Sequence, residues 1–521
     1  MGQDVDVLII GAGLNSLACA MVLQRHGMRI AIFEQASEPG GAVKSGPYTE
    51  AGFTHDWASM NLSLFAGSPF FQEFGAELSA AGLEFAAAEH CFASAFRDGR
   101  WLGIGNDAEV NVSKICAFAN NDAKAWQELS EEFPEQAAHI FAILGSPFGF
   151  RAVAKNLWSL LRQKKLSGAL DLGQFLASSP RAWLDQTFTS PHVKSTLAAW
   201  GMHLDFAPDI AGGAVFPYLE AMANQAFGMV IGKGGADTVT RAMLSCIAAK
   251  GGTVTCNARV EHVVIEQGRA VGLQLADGTA HRAAKAVIAN VAPKHLSALI
   301  GETEPDYDKG LRNFRHAPGT LMMHLAMDDL PAWSASDQLR DYAYVHLAPS
   351  MDQMARCYQQ AQAGLLPDEP VVVVGQPTAI DPSRAPAGKH TLWLQVRMVP
   401  GEILGDAAGE ITARDWQNAA APMAERALDI VEAHAPGTRA KIIAQKIVTP
   451  AELEADNPNL VGGDQICGSH HLSQHFLFRP MRGRSDGSTP IQGLYHTGAA
   501  VWPGAGTGAG SGYLLGKKLT A

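Results

Sequence analysis

The chain has 521 residues, 47% of them hydrophobic and 17% charged, the make-up of a soluble globular protein of two or three domains. Its formal net charge of −11 argues against nucleic acid as the main partner, and it lacks the roughly eighteen consecutive apolar residues of a membrane-spanning helix. Seven scattered cysteines, none in a C-x-x-C pair, point to reduced thiols in a cytosol-like compartment and exclude a redox disulfide or a zinc ribbon.

In chain order, residues 5–10 form an apolar run that ends on Gly11, the pattern of a buried parallel strand. Gly11-Ala12-Gly13 then turns into a predicted helix over 15–26, and a second strand over 29–33 leads into Glu34, 23 positions after Gly11. That is the order of a dinucleotide-binding βαβ unit: the first glycine permits the turn, the second admits a pyrophosphate to the helix N-terminus, and the acid meets a ribose hydroxyl. Ser16 stands where the third glycine of the fingerprint is expected, and it is small enough to keep helix and strand close.

Residues 51–60 suggest a strand and loop returning to the cofactor, with His55 and Asp56 as a candidate acid/base pair. Neighbours on a strand face opposite ways, however, which favours packing roles for both. Residues 61–230 show no strand alternation, and helices are predicted over 123–142 and 147–166. Within the stretch 148–165, Arg151, Lys155, Arg162, Lys164 and Lys165 interleave with aromatic and aliphatic residues. This is a candidate contact with an anionic membrane, and the plainer alternative is a packed helix with a solvated basic face.

Gly232-Lys233-Gly234-Gly235 enters a helix over 236–249, in a loop too short for a phosphate-binding Walker motif. Strands are predicted over 253–256, 259–266, 270–275 and 285–289, with Asp277-Gly278 as the hairpin turn between the last two. From 305 to 450, strands over 320–327, 342–347, 370–375 and 391–398 alternate with helices over 352–363 and 413–434, a sheet with helices on one side. His470, His471 and His475 lack the companions of a zinc site, so no metal is expected. Residues 493–499 form a strand that closes on a glycine turn, and a Gly-rich run from Trp502 opens a final helix.

Two blocks carry a resemblance. Glu34 followed by Pro39-Gly40-Gly41 resembles the FAD-binding flavoproteins related to glutathione reductase, which favours FAD over NAD. GAGLNSL, HLAPSMDQMARCY (346–358), IDPSRAPAGKH (380–390), HLSQHFLFRP (471–480) and GLYHTGAAVWPGAG (493–506) together resemble the phytoene desaturase-like flavoproteins, in the branch of pyridine nucleotide-disulfide oxidoreductase domain-containing protein two. The resemblance implies a glutathione-reductase-like, Rossmann-type α/β FAD-binding domain assembled from 1–65, 228–300 and 460–521. A helical insertion over 66–227 and a sheet-and-helix substrate domain over 301–459 complete the chain.

By position it assigns FAD to Gly11, Gly13, Leu14, Asn15, Ser16, Glu34, Gln35, Gly40, Gly41, Ala42, Val43, Ser59, Val260 and Asn290, and to Gly498, Ala499, Pro503, Gly504, Ala505 and Gly506. His55, Met60, His496 and Trp502 are the substrate-pocket candidates; Trp502 stands where relatives carry His, and no catalytic acid or base is assigned. The expected activity is hydride transfer from a hydrophobic, carotenoid- or lipid-like substrate to flavin, with oxygen or a quinone as final acceptor. An amine oxidase, with Trp57 and Trp502 as aromatic walls, and a non-catalytic lipid escort are the alternatives.

Overall fold

The computed structural model describes residues 5–146, 150–506 and 508–521, and within 150–164 only the side chains of Lys155, Trp158 and Arg162. Val5–Ile10 is the centre of a parallel sheet because it is apolar on both faces, and it pairs with Ile30–Phe33 on one side and Ala280–Ala289 on the other. Thr253–Thr255 extends the first edge, and Leu494–His496 pairs in parallel with the far side of Ala280–Ala289. The first half of that long strand turns aside into an antiparallel meander with Arg269–Leu275 and Val260–Glu266.

Helix Leu14–Arg25 packs on this sheet and against Gly510–Thr520. Their contact is so close that a Cβ on Gly512 would lie 1.7 Å from the Asn15 carbonyl oxygen. Small residues at 512 and 516 are therefore a condition of the fit, and the Asn15 side chain adds a bond by accepting from Gly512 N at 3.0 Å.

A second sheet runs in the order Ile442–Val448, Gly319–Met327, His390–Val399, Val371–Gly375, Tyr344–Leu347, His90–Ala95, Trp101–Gly105. Its two faces differ in chemistry. Leu321, Met323, Leu325, Val372, Val374, Leu392, Leu394 and Val396 form a wholly apolar face beneath helix Trp416–His434. The alternating positions Thr320, His324, Tyr344, His346, Trp393, Gln395 and Arg397 are equally buried but polar or aromatic, and they face the other way.

The predicted strands and helices from 253 to 434 all form within a few residues of expectation, with Ala280–Ala289 starting earlier than predicted. Although 61–230 shows no strong strand alternation, Phe85–Ala88, His90–Ala95, Trp101–Gly105 and Met229–Gly232 are strands. CFASA is buried on both sides and FAAA has no polar residue, so neither shows polar alternation. Of the basic stretch, Phe148 and the side chains of Arg151 and Lys164 lie outside the described residues. Helical Phe150–Ala177 is interrupted at Lys165, where φ is 57°.

Candidate active site

A cavity of about 660 Å³, within the range of cofactor sites, runs from the C-terminal ends of the parallel strands to the polar face of the second sheet. Its nucleotide end is shaped by main chain. Gly11 has φ +86°, and a Cβ there would sit 3.0 Å from Asn290 O; Gly40 has φ +120°, and a Cβ there would sit 2.7 Å from Val43 O. Both positions require glycine. Gly13 caps helix Leu14–Arg25 without any side-chain cap, and the first turn holds no acid, so its positive end is left to a ligand anion.

Glu34 closes that end. Its carboxylate accepts Ala12 N at 2.7 Å and Ala36 N at 2.9 Å, and it borders the cavity together with Gln35, Val260 and Asn290. Leu14, Asn15, Gly41, Ala42, Val43 and Ser59 also line the cavity, as do Ala499, Ala505 and Gly506 from the Gly-rich run. An adenine dinucleotide fits this set: bare amides for the diphosphate, an acid for a ribose and apolar strand residues for the base.

Ser16, Gly498, Pro503 and Gly504 are not on the cavity wall but one layer behind it. Ser16 Oγ accepts Asn290 Nδ2 at 2.9 Å, which holds the Asn290 amide in place; here the hydroxyl does work a glycine could not. A Cβ at Gly498 would come within 2.2 Å of Asn290 Oδ1, and one at Gly504 within 2.6 Å of His470 Nε2. Lys44, three residues past the paired glycines, was not among the expected residues; it lines the cavity and donates to Asp456 at 2.7 and 2.8 Å.

Of the four pocket candidates, the structure brings only Met60 to the cavity. His55 is buried against Thr49 and His324, with a 2.8 Å bond to Thr49 Oγ1, and burial beside Arg384 drops its pKa to about 4. Its neighbour Asp56 is bound to buried Arg384 at 2.5 Å, which also pairs with Asp381 at 3.3 Å and donates to Gly232 O at 2.5 Å. Asp56 and His55 are thus spent on separate structural contacts, and Arg384 ties the GKGG turn to the second sheet's connecting loop. His496 bonds Val291 O at 2.7 Å, and Trp502 donates its indole N–H to Ser146 O at 3.0 Å while packing on His475 and Phe476.

The far wall of the cavity comes instead from Trp200, His203, Leu204 and Glu220 in the helical region, Tyr344, Trp393, Gln395 and Arg397 on the second sheet, and Gln465, Ile466 and Cys467. Tyr344 packs at 6.0 Å between the rings of Trp200 and Trp393. His203 Nε2 meets His346 Nε2 at 3.1 Å, and burial pushes both pKa values down, leaving a neutral pair that shares one proton. Burial raises Glu220 to about 7, its carboxylate having only a 3.4 Å contact with Asn224 Nδ2. The available signal in the sequence was L-W-L-Q-V-R at 392–397, where one face of a strand buried on both sides is polar.

Comparison with known proteins agrees with this architecture. A model of the flavin containing amine oxidoreductases matches residues 17–412. Mouse (Mus musculus) pyridine nucleotide-disulfide oxidoreductase domain-containing protein 2 is 26% identical, covering 96% of this chain and 91% of its own length. A 4,4'-diapophytoene desaturase (4,4'-diapolycopene-forming) of a Methylomonas species is 24% identical over 97% of this chain and 93% of its own. Among solved structures, an oxidoreductase from Methanosarcina mazei shares the fold with a TM-score of 0.63 at 17% identity, over 99% of this chain and 100% of that one.

Proposed function

The chain belongs to the flavin containing amine oxidoreductases, and from that premise we propose that this FAD-dependent oxidoreductase dehydrogenates a largely apolar substrate held between the flavin and the second sheet. The observation that carries the proposal is the continuity of one cavity from the Gly11–Glu34 end to the wall of Trp200, Tyr344 and Trp393. In this reading the first sheet is a glutathione-reductase-like cofactor layer, and residues 66–227 and 301–459 form the substrate region. FAD, when bound, supplies the hydride acceptor.

The protein's own residues do the rest. Gly13, Leu14 and Asn15 at the uncapped helix end would hold the diphosphate, and Glu34 a ribose. Met60 and the aromatic wall would pack against an apolar substrate and exclude water from it. Oxygen or a quinone is the proposed final acceptor, because the chain carries one dinucleotide fingerprint. The test is an anaerobic screen of polyenes, lipids and amines for bleaching of the protein-bound flavin. Bleaching by apolar compounds is expected, and a protein isolated without flavin would favour the escort alternative.

Amine oxidation remains a second reading because Glu220 borders the aromatic wall, although Trp57 and Trp502, the walls anticipated from sequence, lie off the cavity. Peripheral membrane contact belongs to the proposal too. No described helix is long and apolar enough to cross a membrane. Trp158, Leu166 and Leu170 are 65%, 66% and 63% exposed, beside exposed Lys155, Arg162 and Lys165, a combination that suits an anionic lipid surface.

A further inference from the structure

We infer that the substrate carries a carboxylate, which docks beside the charge of Arg397 on the idle donors of Gln465, Trp200 and Trp393 on the wall of the cavity. This rests on the reading of that cavity as the substrate site and names the class of molecule it takes.

Arg397 is 5% exposed and sits on the polar face of the second sheet. Every acceptor that holds its guanidinium is neutral. Nε bonds Met202 O at 3.3 Å, Nη2 bonds Met202 O at 3.1 Å and His203 O at 2.8 Å, and Nη1 bonds Thr320 Oγ1 and Gln465 Oε1 at 3.2 Å each. Asp464 and Asp205 favour its charge through space without touching it: Asp464 accepts Ala317 N, Ile466 N and Gly468 N at 3.0, 3.0 and 2.6 Å, and Asp205 accepts Tyr358 Oη–H at 2.9 Å, with its other oxygen facing His471 Nε2 at 3.2 Å. Arg384, by contrast, has two carboxylates in direct contact. With all five N–H donors of Arg397 engaged and no bonded anion among the described residues, Arg397 gives the cavity wall a positive charge rather than a free donor, a costly arrangement unless a ligand anion lies nearby.

The surroundings point the same way. Gln395 Nε2 donates to Gln465 Oε1 at 2.9 Å, the oxygen that Arg397 also holds, which leaves Gln465 Nε2 buried without a partner. The indole N–H groups of Trp200 and Trp393, on the same wall, are likewise buried and unpartnered. Three idle donors beside a guanidinium with no bonded anion suit an anionic oxygen and repel an ammonium. Gln395 Oε1 is the one idle acceptor of the group, and Glu220, the carboxyl on this wall, is protonated below its raised pKa of about 7 and then offers no repulsion.

The experiment uses the full-length protein with its bound flavin at about pH 6, titrated with decanoate, decan-1-ol and decylamine. Two readings are taken, perturbation of the flavin absorption and the ligand-induced rise in Tm, the second needing no flavin. Decanoate is expected to bind at least ~10-fold more tightly than the alcohol or the amine, with that advantage lost in Arg397→Met, reduced in Gln465→Leu and partly kept in Arg397→Lys. Equal binding of the three probes to wild type, or an undiminished decanoate advantage in Arg397→Met, overturns the inference. Should the protein lack flavin, the proposed activity fails while the Tm series still decides this point.

Discussion

At the end of the cavity bordered by Gly11 and Glu34 the protein offers main chain, whereas at the end bordered by Trp393 and Arg397 it offers side chains. Amides and a helix terminus recognise what all adenine dinucleotides share, and such a site tolerates few substitutions because close approach admits no Cβ. At the other end the proposed substrate contacts are side chains on strands, helices and a loop, of which Arg397 also holds the main chain at Met202 and His203. In the proposed reading, affinity for cofactor and choice of substrate are therefore separable.

The largest expected effect lies outside both ends. Arg384→Met leaves Asp56 and Asp381 buried without their cation and is expected to cost ~3–5 kcal/mol of stability, read by denaturant melts. Flavin absorption of the surviving folded protein should be unchanged; an altered spectrum would mean that the strut and the cofactor end are one unit.

Gly498→Ala, at φ +115° and with its new Cβ 2.2 Å from Asn290 Oδ1, is expected to cost ~1–3 kcal/mol and to lower flavin content measurably. Full flavin occupancy in that variant would break the claim that the cofactor end depends on backbone approach.

Glu220 supplies a pH-dependent test of the other end. Its folded pKa, about 7, lies above the ordinary 4.5, so between those values the native state holds a proton that the unfolded chain has released. Stability from this group therefore falls as pH rises from 4.5 to 7 and stays reduced above. Glu220→Gln should remove that loss and be the more stable protein at pH 8, by ~1–3 kcal/mol, with flavin content unchanged. A variant that melts at the same temperature as wild type at both pH 5 and pH 8 would show that Glu220 is solvated by the cavity.

The smallest effect concerns the surface. Changing Lys155, Arg162 and Lys165 to Glu is expected to weaken flotation with anionic vesicles by ~1 kcal/mol per charge and to leave flavin content alone. Equal flotation of variant and wild type removes the membrane proposal.

What the sequence made legible follows the same division. Gly11, Gly13, Gly40, Gly41 and Glu34 were readable because a backbone demand leaves a spaced trace of glycine in one short stretch. Ser16, taken as a tolerated replacement, proved to anchor Asn290, a partner 274 positions away that no local pattern reveals. His55, His496 and Trp502 are chemically capable side chains near recognisable motifs, yet each is bound to a structural partner, Thr49, Val291 O and Ser146 O, the last two far away in sequence. Gln395 and Arg397 went unremarked because their strand reads as an ordinary apolar run until its two faces are separated.

The contact between Gly512 and Asn15 also sets a timetable for the newborn chain. Synthesis at roughly 5–20 residues per second separates the two residues by on the order of 25–100 s. Over that interval helix Leu14–Arg25 has emerged, while the segment that covers its Asn15, Cys19 and Val22 surface has not. A chain cut before residue 512 lacks the segment that covers Asn15, Cys19 and Val22 on that helix.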